Sequence, residues 1–160
     1  MKTIIIDGNN LIHKIEKFKS IFAKDKFNAQ AALSEAIKTR IPRTSKVIIV
    51  YDGHSDKKIS GSIYSGIKTA DEVIRQYIEE NYNRLALLVV SSDKGITNLA
   101  ELCGCEVKRS EDFWKEIDKE VKTLTKVPNN ANINHLLEDG SEKPDRISKK
   151  DINEFKKYFT

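Results

Sequence analysis

Three apolar runs in this sequence each lead into an aspartate. Thr3-Ile4-Ile5-Ile6 ends in Asp7, Lys46-Val47-Ile48-Ile49-Val50-Tyr51 in Asp52, and residues 85–92 in Asp93. Short runs that are apolar on both alternating faces suit strands buried between two helical layers. In an open parallel sheet, ligands bind in the crevice outside the carboxyl ends of the strands. That placement would bring Asp7, Asp52 and Asp93 to one rim from distant sequence positions. Asp71 joins them if the helix opened by Thr69-Ala70-Asp71-Glu72 has its amino end at the same rim.

Such a cluster calls for a counter-charge. Two carboxylates about 5 Å apart repel by roughly 3 kcal/mol at an effective dielectric near 20. Hard oxygen ligands with room for waters suit Mg²⁺ or Mn²⁺, and one or two such ions activate water against a phosphodiester. The absence of a Cys/His cluster argues against zinc. Each acid also has a plain structural explanation, because Asp is a common turn residue after a strand. Thr69 with Glu72 forms a capping box, which explains Glu72 well and Asp71 in part.

Several neighbours of the acids carry useful chemistry. Asn9 and Asn10 follow Asp7 at a helix start, where one can cap the helix and the other orient a carboxylate, a metal-bound water or a phosphate. His54 stands two residues past Asp52 as a phosphate contact or proton carrier. Lys68, Arg75 and Lys94 flank the acids and could dock the phosphates of a bound strand. Ser92 precedes Asp93 and, like Glu72, supports the site.

The elements that position these residues follow from periodicity. Helical spacing runs through Leu11, Ile12, Ile15, Phe18 and Phe22 in one segment and Ala32, Leu33, Ala36, Ile37 and Ile41 in the next. Val73, Ile74, Tyr77 and Ile78 mark a third helix, and Phe113, Trp114, Ile117, Val121 and Leu124 a late one. A weaker fourth strand, Cys105 to Lys108, follows Gly104, which suits a position just past a helix end. Residues 55–68 read as a loop or a short hairpin through Ile59, Ile63 and Tyr64. Strands alternating with helices predict an α/β fold with a parallel sheet covered on both faces. A polar, Asn-rich connector is expected over about 125–146, and a closing helix over about 148–159, as parts of one domain spanning 1–160.

Composition narrows the class further. The chain has 160 residues, and 28 Lys+Arg against 24 Asp+Glu give a net charge of +4. The charges are mixed rather than massed, so they permit a polyanionic partner without requiring one. At this length a core forms without disulfides, and Cys103 and Cys105 read as reduced thiols. The three isoleucines before Asp7 fall short of an export signal, and no apolar stretch spans a bilayer. A cytoplasmic location without membrane association is expected.

Asp7-Gly8-Asn9-Asn10-Leu11-Ile12, Val47-Ile48-Ile49-Val50-Tyr51-Asp52-Gly53-His54, Lys68-Thr69-Ala70-Asp71-Glu72 and Val89-Val90-Ser91-Ser92-Asp93 resemble, in order and spacing, the NYN-domain ribonucleases of the YacP-like type. That group lies within the PIN-like and flap-endonuclease-like superfamily. The resemblance implies a PIN-like three-layer fold, with a central, mostly parallel sheet of four or five strands and helices on both faces. It also implies a Mg²⁺- or Mn²⁺-dependent endoribonuclease acting in mRNA decay or RNA processing. The substrate would be RNA, free or presented by a ribosome or other ribonucleoprotein, and the protein a monomer or weak dimer. On this resemblance Asp7, Asn10, Asp71 and Asp93 are the catalytic set, and Asp52 looks like a further metal-binding acid. The chain departs from the superfamily pattern at Gly95, where many members carry another acid, and at Asn9, where an aromatic residue is frequent. Gly95 leaves a smaller negative pocket, compatible with one tightly held ion rather than two, or with low activity on free RNA.

Two other readings compete. A phosphoacceptor receiver domain would use Asp7, Asp52, Ser91 or Ser92, and Lys108, but lacks here the expected strand between the first two acids. An RNA-binding PIN-like module with weak or no catalysis is the second. A dinucleotide cofactor is not expected, because the first strand leads into Asp-Gly-Asn-Asn rather than a Gly-rich turn.

Overall fold

Ile4, Ile5 and Ile6 are buried and alternate between two hydrophobic clusters, Ile4 and Ile6 on one side and Ile5 on the other. This is the period-two signature of a central strand. The computed structural model describes residues 1–125. In chain order, β1 (Lys2–Asp7) is followed by α1 (Gly8–Lys14), α2 (Glu16–Lys24), α3 (Lys26–Arg40) and β2 (Lys46–Tyr51). Then come β3 (Ser62–Tyr64), α4 (Ala70–Asn81), β4 (Ala86–Val90), α5 (Lys94–Leu102), β5 (Glu106–Lys108) and α6 (Ser110–Thr125). Apart from Thr125, which ends α6, the expected connector and closing helix lie outside the described residues.

The strands form one sheet in the order β3-β2-β1-β4-β5, and every pairing is parallel. One layer packs Leu11 and Ile12 of α1, Phe18 of α2, Leu33 and Ile37 of α3, and Phe113, Trp114 and Ile117 of α6 against the sheet. The opposite layer brings Ala70, Ile74 and Ile78 of α4 and Ile96 and Ala100 of α5 onto Ile5, Ile48, Val50 and Val89. The α/β class, the parallel sheet and its cover on both faces agree with the sequence reading. No helix among the described residues is long and apolar enough to cross a membrane.

Two expectations change. The single helix expected from Leu11 to Phe22 is broken at Ile15, whose backbone is extended at φ −120° and ψ 115°. The break turns the chain so that Leu11, Ile12 and Phe18 all reach the sheet. Of the loop or short hairpin expected over residues 55–68 the loop is present and the hairpin is not: the loop carries the chain back along β2 to the edge of the sheet. There β3 enters parallel to β2, with Ile49 opposite Ser62. Gly53 and Gly61, at φ 84° and 78°, make the turns that reverse the chain twice.

Candidate active site

The helices that follow β1 cover one face and the helix between β4 and β5 covers the other, so the connections diverge between β1 and β4. Such a divergence opens a crevice at the carboxyl edge of the sheet. Asp7 ends β1 at its lip, Asp52 follows β2, and Ser91, Ser92 and Asp93 follow β4. Each acid also ties down a helix. Asp7 Oδ1 accepts from the Asn10 N–H of α1 at 3.2 Å, and Asp93 Oδ1 from the Ile96 N–H of α5 at 3.1 Å. Asp52 Oδ1 accepts from the Ala70 N–H that begins α4 at 2.6 Å.

Burial grades across the crevice. Asp7 is 8% exposed, Asp52 is half-buried and Asp93 reaches solvent. Burial is the main cause that pushes the Asp7 carboxyl up to about 6, and the charges of Asp52 and Asp93 add to it; the Asn10 N–H and the Ser91 hydroxyl oppose it. Ser91, fully buried, joins two of the acids: its Oγ accepts from the Asp93 N–H at 3.1 Å and lies 3.5 Å from Asp7 Oδ2.

Asp71 makes no hydrogen bond to this group. Its Oδ2 lies 3.0 Å from Arg75 Nε one helical turn on, a contact of charge rather than an aligned hydrogen bond, and its Oδ1 is buried with no hydrogen-bond partner. Among the described residues no three His, Cys, Asp or Glu side chains close around one point. The expected capping box is present, with Thr69 Oγ1 accepting from the Glu72 N–H and the Glu72 carboxylate accepting from the Thr69 N–H, each at 3.2 Å. Lys68 Nζ turns along α4 to Gln76 Oε1 at 2.9 Å. Lys94 is exposed in the first turn of α5, and the exposed His54 lies near Gly66 in the loops after β2 and β3.

Asn10 acts as a clamp. Its Oδ1 accepts from the Ser92 N–H at 3.1 Å and from the Ser110 hydroxyl at 2.7 Å, tying α1 to the end of β4 and the start of α6. The Ser110 N–H donates to Ser92 Oγ at 3.1 Å, and Ser92 Oγ hydrogen-bonds to Glu111. That bond first, then Glu111's own N–H and the nearby Arg109 and Lys14 cations, hold the Glu111 carboxyl below its usual range. Ser110 and Glu111 escaped the sequence reading, as did Ser91 as a bridge between acids. A Ser-Glu pair at the head of α6 is an ordinary helix start, and only the Ser-Ser before Asp93 offered a signal.

Gly8 explains how α1 sits so close. A Cβ there would fall 2.6 Å from Tyr51 Cδ1 and 2.8 Å from Ile49 Cγ2. Lys108, the lysine that a receiver reading places at the rim, pairs with Glu116 Oε2 at 2.8 Å.

The chain is an α/β domain with a five-stranded parallel sheet and acids at the carboxyl ends of three of its strands. The chain belongs to the YacP-like NYN domain family, a family of nucleases, whose model matches residues 4–160. It is similar to solved structures of Rae1 (YacP) from Bacillus subtilis. One is 18% identical with a TM-score of 0.63, over 99% of this chain and 94% of that one. Another, a tryptophan-to-leucine mutant, is 21% identical with a TM-score of 0.62, over 81% and 87%. These likenesses show a shared fold. No curated protein matches the sequence.

Proposed function

We propose that the chain is an endoribonuclease that hydrolyses RNA phosphodiester bonds with Mg²⁺ or Mn²⁺, in mRNA decay or RNA processing. The observation that carries this reading is the buried Asp7, flanked electrostatically by Asp52 and Asp93 at the switch point of a nuclease-family sheet. The donor chemistry fits a hard cation. All three groups are carboxylates, and Mg²⁺ commonly binds through only one or two of them, completing its shell with waters and substrate phosphates. Asp7 and Asp93 would hold the ion, with Asp52 beside them and Asp71 as a further candidate. Such an ion, when bound, lowers the pKa of a water and stabilises charge on the phosphoryl oxygens.

The rest of the chemistry belongs to the protein's own groups. Ser91 fixes the spacing of Asp7 and Asp93 through one hydroxyl. Asn10 holds Ser92 and the head of α6 in place, so it is a positioning residue. Lys94, Lys68 and His54 are the groups from which a bound strand would draw phosphate contacts on the solvent side. RNA presented by a ribosome or other ribonucleoprotein, a monomeric or weakly dimeric protein, a cytoplasmic location, and products with 5′-phosphate and 3′-hydroxyl ends complete the proposal.

Cleavage of end-labelled RNA with Mn²⁺ or EDTA tests it. The parent should cut only with metal, and Asp93→Asn should lose about 100-fold or more, the scale of removing one electrostatic contributor to catalysis. Equal cutting by both proteins in EDTA would refute the metal mechanism. RNA binding with no cutting under any condition would favour the non-catalytic module.

A further inference from the structure

Arg75 and Gly95 meet across the gap between α4 and α5. A Cβ at Gly95 would overlap Arg75 Nη2 and come within 3.1 Å of Asp93 Oδ1. The guanidinium therefore rests against the backbone of Gly95, paired with Asp71, and the same glycine adjoins the Asp93 carboxylate. Gly95 has no positive φ that would call for glycine, and alanine is the better helix former at this place in α5. The space its missing side chain leaves is the seat of the arginine.

We propose that Arg75 is a tethered cation of the acidic rim: seated on Gly95, it engages Asp71 and shields Asp93, so that it competes with a divalent ion for the outer half of the site. This rests on the metal-dependent reading above. Among the described residues Asp7 and Asp52 form no ion pair, whereas Asp71 has the Arg75 guanidinium against it. A guanidinium stays charged at every physiological pH and presents a planar fork suited to carboxylate or phosphate. The contact with Asp71 is unaligned and both side chains are about two-fifths exposed, so the arginine is held by charge and by its seat, and can swing aside. Arg75 is thus a positioning residue that sets how tightly, and through which acids, the rim takes its ion.

The test is Mn²⁺ binding to the full chain, by electron paramagnetic resonance and calorimetry without RNA. Arg75→Gln removes the charge and should tighten Mn²⁺ binding by about tenfold, the scale of one partly solvated charge acting on another nearby. Gly95→Ala keeps the charge but takes away the seat, and should tighten binding in the same direction. Arg75→Lys retains a cation and should remain closer to the parent than Arg75→Gln does. If the parent binds Mn²⁺, Asp7→Asn weakens it, and Arg75→Gln binds no more tightly than the parent, the tethered-cation role is wrong while the metal reading stands. If parent and all variants fail to bind Mn²⁺, both are wrong.

Discussion

Replacing Asp7 by Asn should stabilise the metal-free protein while disabling it. In the folded chain burial, with help from Asp52 and Asp93, raises the Asp7 carboxyl from 3.8 to about 6. A carboxyl whose folded pKa lies above its unfolded value costs stability wherever it must be ionised. Between the two values the folded chain holds a proton that the unfolded chain has released, so stability falls as pH rises. The cost is absent below about pH 4 and fully present above about pH 6. At 1.36 kcal/mol per pKa unit, this shift corresponds to about 3 kcal/mol. The neutral amide avoids that penalty, and its oxygen can still accept the Asn10 N–H, since Asn is as good an N-cap as Asp.

The assay is urea or thermal unfolding of both proteins in EDTA from pH 4 to pH 8. At pH 8 Asp7→Asn should be the more stable by about 2–3 kcal/mol, or roughly 5–10 °C in melting temperature for a chain of this size. The margin should close as pH falls through 6 towards 4. A variant less stable than the parent at pH 8, or an advantage that does not change with pH, would refute the reasoning. RNA cleavage should be lost at every pH.

Other outcomes follow from the same contacts. Millimolar Mg²⁺ should raise the melting temperature of the parent, and raise that of Asp93→Asn less, as seen by differential scanning fluorimetry. Asn10→Ala leaves the Ser92 N–H and the Ser110 hydroxyl without their acceptor and should cost about 2 kcal/mol in urea unfolding, with a fall in cleavage as the rim loosens. Gly8→Ala drives a methyl into the Tyr51 ring and should cost about 1–3 kcal/mol by the same measurement. Tyr51→Phe removes a hydroxyl that donates to the Gln30 carbonyl at 2.9 Å and pairs with Ser34 at 2.7 Å. It should cost about 1–2 kcal/mol and spare metal-dependent cleavage.

The strands were legible because Ile4 to Ile6, Ile48 to Tyr51 and Leu87 to Val90 are buried on both faces, and few residue types suit that environment. Gly104, at φ 77° just past α5, and the Thr69–Glu72 box were legible for local reasons of the same kind. The break at Ile15 was hidden because a single extended residue barely disturbs the apolar spacing on either side of it. Strand β3 was hidden because Ser62-Ile63-Tyr64 is short and half-exposed, and its direction is set by the loop before it. Contacts across space left no trace in sequence: Asn10 reaches Ser110 and Arg75 reaches Gly95 only once the sheet has aligned their helices.

The acids at the rim also show why the choice between a turn residue and a site residue was a false one. Asp7, Asp52 and Asp93 each give one oxygen to a helix amino terminus, where an unpaired N–H needs an acceptor and the helix dipole favours negative charge. That bond fixes the side-chain rotamer and eases the repulsion that gathering the acids creates. The second oxygen of each is not needed for capping: those of Asp52 and Asp93 accept no hydrogen bond among the described residues, and that of Asp7 meets only the Ser91 hydroxyl. Asp71 lies inside a helix rather than before one, makes no such bond, and has Arg75 for its partner. The capped acids therefore keep their places with or without a cation, whereas the place of Asp71 depends on which positive charge is nearest. Asp93→Ala, which removes cap and ligand together, should consequently lose about 1 kcal/mol that Asp93→Asn retains, although both lose cleavage. Equal stability of the two variants in urea unfolding would mean that the caps do not hold the rim in shape.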